Sequence, residues 1–452
     1  MDGTEDVGRV DRLRAKNPLR VRFIRDVAIT GGAQMAQAGS AMIAGILVAR
    51  ALGPSAKGEL SVLTALAAMS VIVASLGLHQ SAVYFLGRFK EDRDAVISNN
   101  ALVGLGGGLL TAIALGLAGV AFRDTLISGI SLSVFLVFLL FVPFNYFNEF
   151  GRRVMLGAGR VGLYNLPDFV LGAGLIVGTS VALIVFGDEL MPLVVLRVVI
   201  EVAIAVVLVY HVGRAIGFRL KPARGVLGRQ ASYGVKNYAS SLLWIVLLQS
   251  DLVLCNHFLG NAPTGVYSIA ISIGLPLTML GGVLGTIIFQ RVSADESEAN
   301  RVANTNRVVR VLVPTLAVAS IALGAVSGWL IPAIYGAEFG AASEALLWLL
   351  PGLVALAVEL VLMNHLAGEG SPPIVYLGPL AGLIVNLGAN LYMIPRFGID
   401  GAAATSSVGY LVVLLLVGRS YLRRTGSRLR DLVAFRRVDL GLGRPAVEGS
   451  GR

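Results

Sequence analysis

Long apolar runs separated by short polar breaks dominate this chain. Val27–Ala49 carries no formal charge, and neither does Ile97–Phe122 or Leu126–Phe147. A helix rises about 1.5 Å per residue, so roughly 20 apolar residues cross a hydrocarbon core. The pattern predicts twelve membrane-crossing helices, at about 27–49, 60–87, 97–122, 126–147, 166–187, 190–213, 235–258, 265–289, 308–330, 343–366, 373–394 and 399–420. Several contain a proline: Pro143, Pro167, Pro276, Pro314, Pro351 and Pro379. Neighbouring helices in a bundle can satisfy the backbone groups that such breaks release. The expected fold is therefore an all-α integral membrane protein.

Composition agrees. Hydrophobic residues make up 56% of the chain and charged residues 14%, against roughly 25% charged in soluble domains. The net charge of +10 would point to nucleic acid in a soluble protein, but here it reads first as topology. With the N-terminus inside, Arg50, Lys57, Arg123 and Arg396 fall outside and Arg197 lies within a span. All the other lysines and arginines are cytoplasmic, and a wrong helix count would scramble this alternation. The expected divisions are a basic cytoplasmic arm (1–26), spans one to six (27–213), a basic linker (214–234), spans seven to twelve (235–420) and a basic cytoplasmic tail (421–452). Arg428–Asp439 has the makings of an interfacial helix, with a flexible tail as the alternative.

The chemistry excluded is equally informative. The single Cys255 allows no intrachain disulfide, and His79, His211, His257 and His365 are scattered without metal-ligand spacing. No Walker A motif and no nucleophile constellation is present. The outward breaks are too short for an extracytoplasmic catalytic domain. No enzyme activity, cofactor, metal or nucleic-acid partner is expected.

An internal repeat is visible. Leu52-Gly53-Pro54-Ser55-Ala56-Lys57-Gly58-Glu59-Leu60-Ser61 aligns without gaps on Leu259-Gly260-Asn261-Ala262-Pro263-Thr264-Gly265-Val266-Tyr267-Ser268. Ala173–Val177 returns as Ala381–Val385 at nearly the same offset. Six spans per half place both halves in the same orientation, as in transporters with a cavity between parallel repeats. Gly53, Gly58, Gly260 and Gly265, with Arg50, are then expected to form short outward turns facing each other at an outer gate.

Taken together, these motifs resemble one family. Ala49–Gly58 is followed by an apolar span, then Gly77-Leu78 and Arg88. Gln249–Leu254 precedes Leu259-Gly260, and Gly265–Ala270 follows. Ile334–Gly336 with Glu338-Phe339, and Gly398–Ala403, complete the set. Over residues 25–420 the chain resembles the polysaccharide (O-antigen) flippases of the multidrug/oligosaccharidyl-lipid/polysaccharide exporter superfamily. The resemblance implies two six-helix lobes that alternate between inward-open and outward-open states in a bacterial inner membrane. It implies an anionic lipid-linked oligosaccharide cargo, typically on undecaprenyl diphosphate, with a polysaccharide polymerase and chain-length machinery as partners.

Ionisable residues at bilayer depth are costly and mark candidate sites. Arg197 and Glu201, four apart in span six, share a helix face. They fit either a cavity arginine meeting the cargo diphosphate or sugar, with Glu201 as its partner or a proton site, or an ion pair that only holds spans together. Asp251, with Gln249, fits a coupling-cation site or an inter-lobe pair with Arg50, or else a static helix-end contact. Glu359 has no charged neighbour in sequence. Asn386 and Asn390 share a face of span eleven, as Gln34 and Gln37 nearly do in span one. Lys236 at the inner mouth fits either the diphosphate or a snorkelling role. Asp168 and Arg152 are expected to organise cytoplasmic loops. Two neighbouring functions compete: cation-coupled multidrug export, which commonly uses first-lobe carboxylates that Val27–Ala49 lacks, and flipping of a lipid-linked peptidoglycan precursor, usually by proteins of fourteen spans.

Overall fold

The computed structural model describes residues 18–217, 219–294 and 297–434. Most of the basic arm and the end of the tail, including Arg9, Lys16 and Asp439, lie outside these residues.

Every regular element described is a helix. In the first half these are α1 (Pro18–Ser75), α2 (Leu78–Arg88), α3 (Arg93–Ala121), α4 (Arg123–Leu126), α5 (Leu132–Leu139), α6 (Phe141–Gly157), α7 (Val161–Phe186) and α8 (Leu190–His211). In the second half they are α9 (Arg224–Leu259), α10 (Asn261–Gly274), α11 (Pro276–Ala294), α12 (Glu298–Tyr335), α13 (Ala342–Gly368), α14 (Ile374–Thr425) and α15 (Leu429–Val433). Among the described residues, nine helices are long and apolar enough to cross a membrane, or ten with α10 and α11, which meet at 43°. A straight helix of α1's 58 residues would measure about 87 Å, far more than a bilayer core of about 30 Å. It breaks at Gly53 (φ 73°, ψ −173°), and α14 breaks the same way at Gly398.

The outward turn expected at Gly53 and Gly58 is therefore not a loop. One residue turns the chain, and the next helical arm starts at Pro54. Only glycine adopts that positive φ without steric cost. Proline at the first helical position loses no hydrogen bond, because that N–H has no intrahelical acceptor. Lys57 consequently sits on a helix. Gly260 (φ 84°, ψ −176°) repeats the break between α9 and α10. Further positive-φ glycines pair in the same way, Gly129 with Gly336, Gly159 with Gly370, Gly187 with Gly398 and Gly217 with Gly426.

Packing follows the repeat too. α1 lies on α7 as α9 lies on α14, and α3 lies on α6 as α12 lies on α13. α1 and α2 then carry the contacts to the second half, through α9 and α10. One continuous apolar core around Tyr267, Leu346 and Tyr421 fills the second half. The outer surface is apolar as well. Leu110, Ile184, Ile321 and Trp329 are all more than two-thirds exposed, which suits lipid rather than water. The start of the tail is folded: α15 buries Leu432, and the Arg310 guanidinium donates to the Asp431 carbonyl at 2.7 Å.

Candidate functional site

A cavity of about 250 Å³ lies between the halves. The second arm of α1 contributes Lys57, Ser61 and Thr64, and α8 contributes Arg197. From the other half come Gln249 of α9 and Ser268 and Ser272 of α10. Val48, Leu60, Leu175 and Leu193 complete an apolar wall. Among the described residues, two cations line this space and no carboxylate does. The Lys57 ammonium donates to Ser61 Oγ at 3.0 Å, four residues on along the same helix face. Arg197 and Gln249 have no hydrogen-bond or ion-pair partner among the described residues, so their N–H groups are available to a guest.

The sequence-based pairing of Arg197 with Glu201 does not form. Glu201 turns away and is buried against α6. There Asn148 Nδ2 donates to its Oε2 at 2.6 Å and Asn145 Nδ2 to its Oε1 at 3.1 Å. Asn148 also donates to the Glu201 carbonyl at 3.0 Å. Two fixed amides satisfy a buried carboxylate without the cost of desolvating a second charge. The signal for this was Asn145 and Asn148 three apart on one face of an apolar helix.

Asp251 does not pair with Arg50 either. Its carboxylate is buried and accepts from Tyr267 Oη at 2.7 Å, Ser406 Oγ at 2.9 Å and the Leu252 amide at 2.8 Å. The network continues as Asn386 donates to Ser406 at 3.3 Å and Asn390 donates to Asn386 at 3.0 Å. Thr405 closes it on Asn390. Asp251, Asn386 and Asn390 thus belong to one buried oxygen-rich cluster on α9 and α14, beside the cavity but not lining it. Arg50 instead caps the end of α12, donating to Ile334 O at 2.6 Å and to Ala333 O. The last carbonyls of a helix lack intrahelical donors and favour a cation.

Glu359 is fully buried on α13, and neither carboxylate oxygen finds a hydrogen-bond partner. It does not line the cavity. Lys236 lies on α9, but its side chain falls outside the described residues. Arg152 near the end of α6 and Asp168 in the first part of α7 are joined at 2.9 Å, across the short connection at 158–160.

The halves touch at two places along their length. Near Gly53 and Gly260, a methyl group added at Gly58 would overlap the Asn261 carbonyl, and one at Gly265 would overlap that of Pro54. Small residues allow this backbone contact. Towards the other end, Gly77 meets the backbone of Gly234. Tyr84 stacks on Tyr233 with ring centroids 4.4 Å apart, and Arg229 meets Asp92 at 2.5 Å.

A helical bundle of this pattern with an interior cationic cavity is a membrane-transporter fold, and solved structures agree. The chain matches "Lipid II flippase MurJ, inward closed conformation" with a TM-score of 0.73 at 12% identity, over 90% of this chain and 89% of that one. An inward-facing multidrug resistance MATE family transporter of the MOP superfamily matches with a TM-score of 0.69 at 16% identity, over 86% and 94%. An outward-facing transporter of that kind matches with 0.58 at 16%, over 89% and 95%. No curated protein matches by sequence. The model of the family described as "Polysaccharide biosynthesis protein" matches residues 23–292, and the chain belongs to that family.

Proposed function

We propose that this protein flips a polyprenyl-diphosphate-linked oligosaccharide from the inner to the outer leaflet of a bacterial plasma membrane by alternating access, for assembly of a surface polysaccharide. The observation that carries the reading is the central cavity, whose wall holds Lys57 and Arg197, the latter without a hydrogen-bond or ion-pair partner, and no carboxylate among the described residues. Neither the charged diphosphate nor the hydrated sugars of such a cargo can cross lipid unaided, and the diphosphate carries the charge. An arginine fork and a lysine suit its oxygens. Its polyprenyl chain would remain in the bilayer.

Counting the arms of α1 and α14 separately, with α10 and α11 as one bent crossing, supports twelve spans in two lobes. The distribution of positive charge supports both ends lying inside. The Gly58–Gly265 contact is then the closed outer gate. The Asp251 cluster offers a carboxylate, three hydroxyls and two amides, hard oxygen ligands that suit a small coupling cation.

The same fold serves multidrug export, but a site for cationic drugs would present carboxylates where this cavity presents cations. A lipid-linked peptidoglycan precursor carries the same diphosphate, so it is the second reading. The test is flipping of fluorescent undecaprenyl-diphosphate glycans in proteoliposomes. Arg197→Ala and Lys57→Ala are expected to insert normally and to abolish flipping. Undiminished flipping by both variants would overturn the assignment.

A further inference from the structure

We propose that a second cavity, walled by Gln34, Gln37, Glu149, Arg152, Arg153 and Asp168, is a glycan subsite that takes uncharged, hydroxyl-rich sugars of the cargo. This rests on the functional reading above and assigns the part of the cargo that the central cavity leaves out.

The cavity measures about 360 Å³, within the roughly 300–1,000 Å³ of small-ligand pockets. It lies where α1, α6 and α7 meet, with Met279 of α11 opposite. It neighbours the central cavity through a run of shared wall residues. Ala38 and Met279 also line an intervening cavity of about 380 Å³, which in turn shares Ala41, Gly45, Lys57 and Ser272 with the central one. The intervening space is mostly apolar, walled by Met35, Met42, Ile269, Leu275 and Pro276. Three neighbouring spaces therefore differ in chemistry: cationic, mostly apolar, and mixed polar.

Charge separates the first from the last. In the central cavity two cations stand without a carboxylate. In the second, Arg152 Nη2 meets Asp168 Oδ2 at 2.9 Å, and Arg152 Nη1 meets Glu149 Oε1 at 3.6 Å. Arg153 Nη2 meets Glu149 Oε2 at 3.8 Å. Two guanidiniums and two carboxylates cancel locally. A diphosphate entering here would have to displace carboxylates from their partners, and it gains more at Lys57 and Arg197.

A sugar faces no such conflict. Each hydroxyl donates and accepts, so carboxylate, guanidinium and amide all match it. The ion-pair network also holds these groups in place before a guest arrives, with both guanidiniums against the face of Tyr164, at 5.0 Å for Arg152 and 6.0 Å for Arg153. Such preorganisation lowers the cost of binding. Gln34 and Gln37, three apart on one face of α1, make no hydrogen bond to any described residue. Their amides are open to a ligand at the rim.

The test compares two probes on purified protein in nanodiscs: undecaprenyl diphosphate, and undecaprenyl diphosphate bearing an uncharged disaccharide. The wild type is expected to bind the disaccharide-bearing probe more tightly. Gln34→Ala/Gln37→Ala removes two amides that carry no fold contact, and it is expected to weaken the disaccharide-bearing probe about tenfold while leaving bare undecaprenyl diphosphate unchanged. Arg197→Ala is expected to weaken both probes. If Arg197→Ala weakens neither, the functional reading itself fails. If it weakens both while the double glutamine variant treats the two probes alike, or if the disaccharide adds no affinity in the wild type, the glycan subsite is overturned and the reading stands.

Discussion

Gly58→Ala gives a direct measure of the contact between the halves. A methyl group there would overlap the Asn261 carbonyl, with the amide of Gly265 also at the limit of contact. Both obstacles are backbone, so no side chain can rotate away, and α1 and α10 must separate. Overpacking of this kind costs about 1–3 kcal/mol. The clash exists only while the contact is closed, so the cost falls on that state. A bias of 1–3 kcal/mol shifts a two-state equilibrium by about 5–150-fold. Thr64→Cys, placed in the cavity wall in a Cys255→Ala background, reports the opening. An impermeant thiol reagent added from outside is expected to label it about 5–150-fold faster in the Gly58→Ala variant. Gly265→Ala should act in the same direction, and the double variant should fall short of the sum because both methyls open one contact. Gly282→Ala on α11 meets nothing within 4 Å and should not change the rate. A folded Gly58→Ala protein that labels no faster than its parent refutes the gate assignment.

Two further outcomes follow from the buried carboxylates. Asp251→Asn keeps the volume but sets an amide against the Tyr267 and Ser406 hydroxyls, so flipping in proteoliposomes should lose its response to an imposed cation gradient while Arg197-dependent cargo binding persists; an unchanged gradient response removes Asp251 from coupling. Glu359 has no hydrogen-bond partner for either oxygen among the described residues, and an unsatisfied buried group costs about 1–3 kcal/mol. Glu359→Leu should therefore raise the thermal midpoint and lower transport, and a lowered midpoint would show that the carboxyl stabilises the fold.

The sequence–structure relation is uneven for physical reasons. Helical membrane spans need only length and apolarity, and both are properties of contiguous residues. The repeat was legible because glycine alone tolerates the backbone at Gly53 and Gly260. Arg197 stood out because a charge at bilayer depth must face something polar. Lys57 did not, because Gly-Pro beside it reads as a loop, whereas a one-residue break returns the chain at once to helix and turns the lysine into the cavity. Periodicity places Arg197 and Glu201 on one helix face, but it does not say which neighbour each will meet. Asn148 lies 53 positions from Glu201, and Ser406 lies 155 from Asp251. Such partners are set by how helices pack after insertion, and no local pattern along the chain encodes them. The chain alone therefore settles that this is a repeated helical membrane protein with charge inside it. The packing of α1, α6, α8, α9, α10 and α14 decides which charges line the cavity and which are hydrogen-bonded between helices.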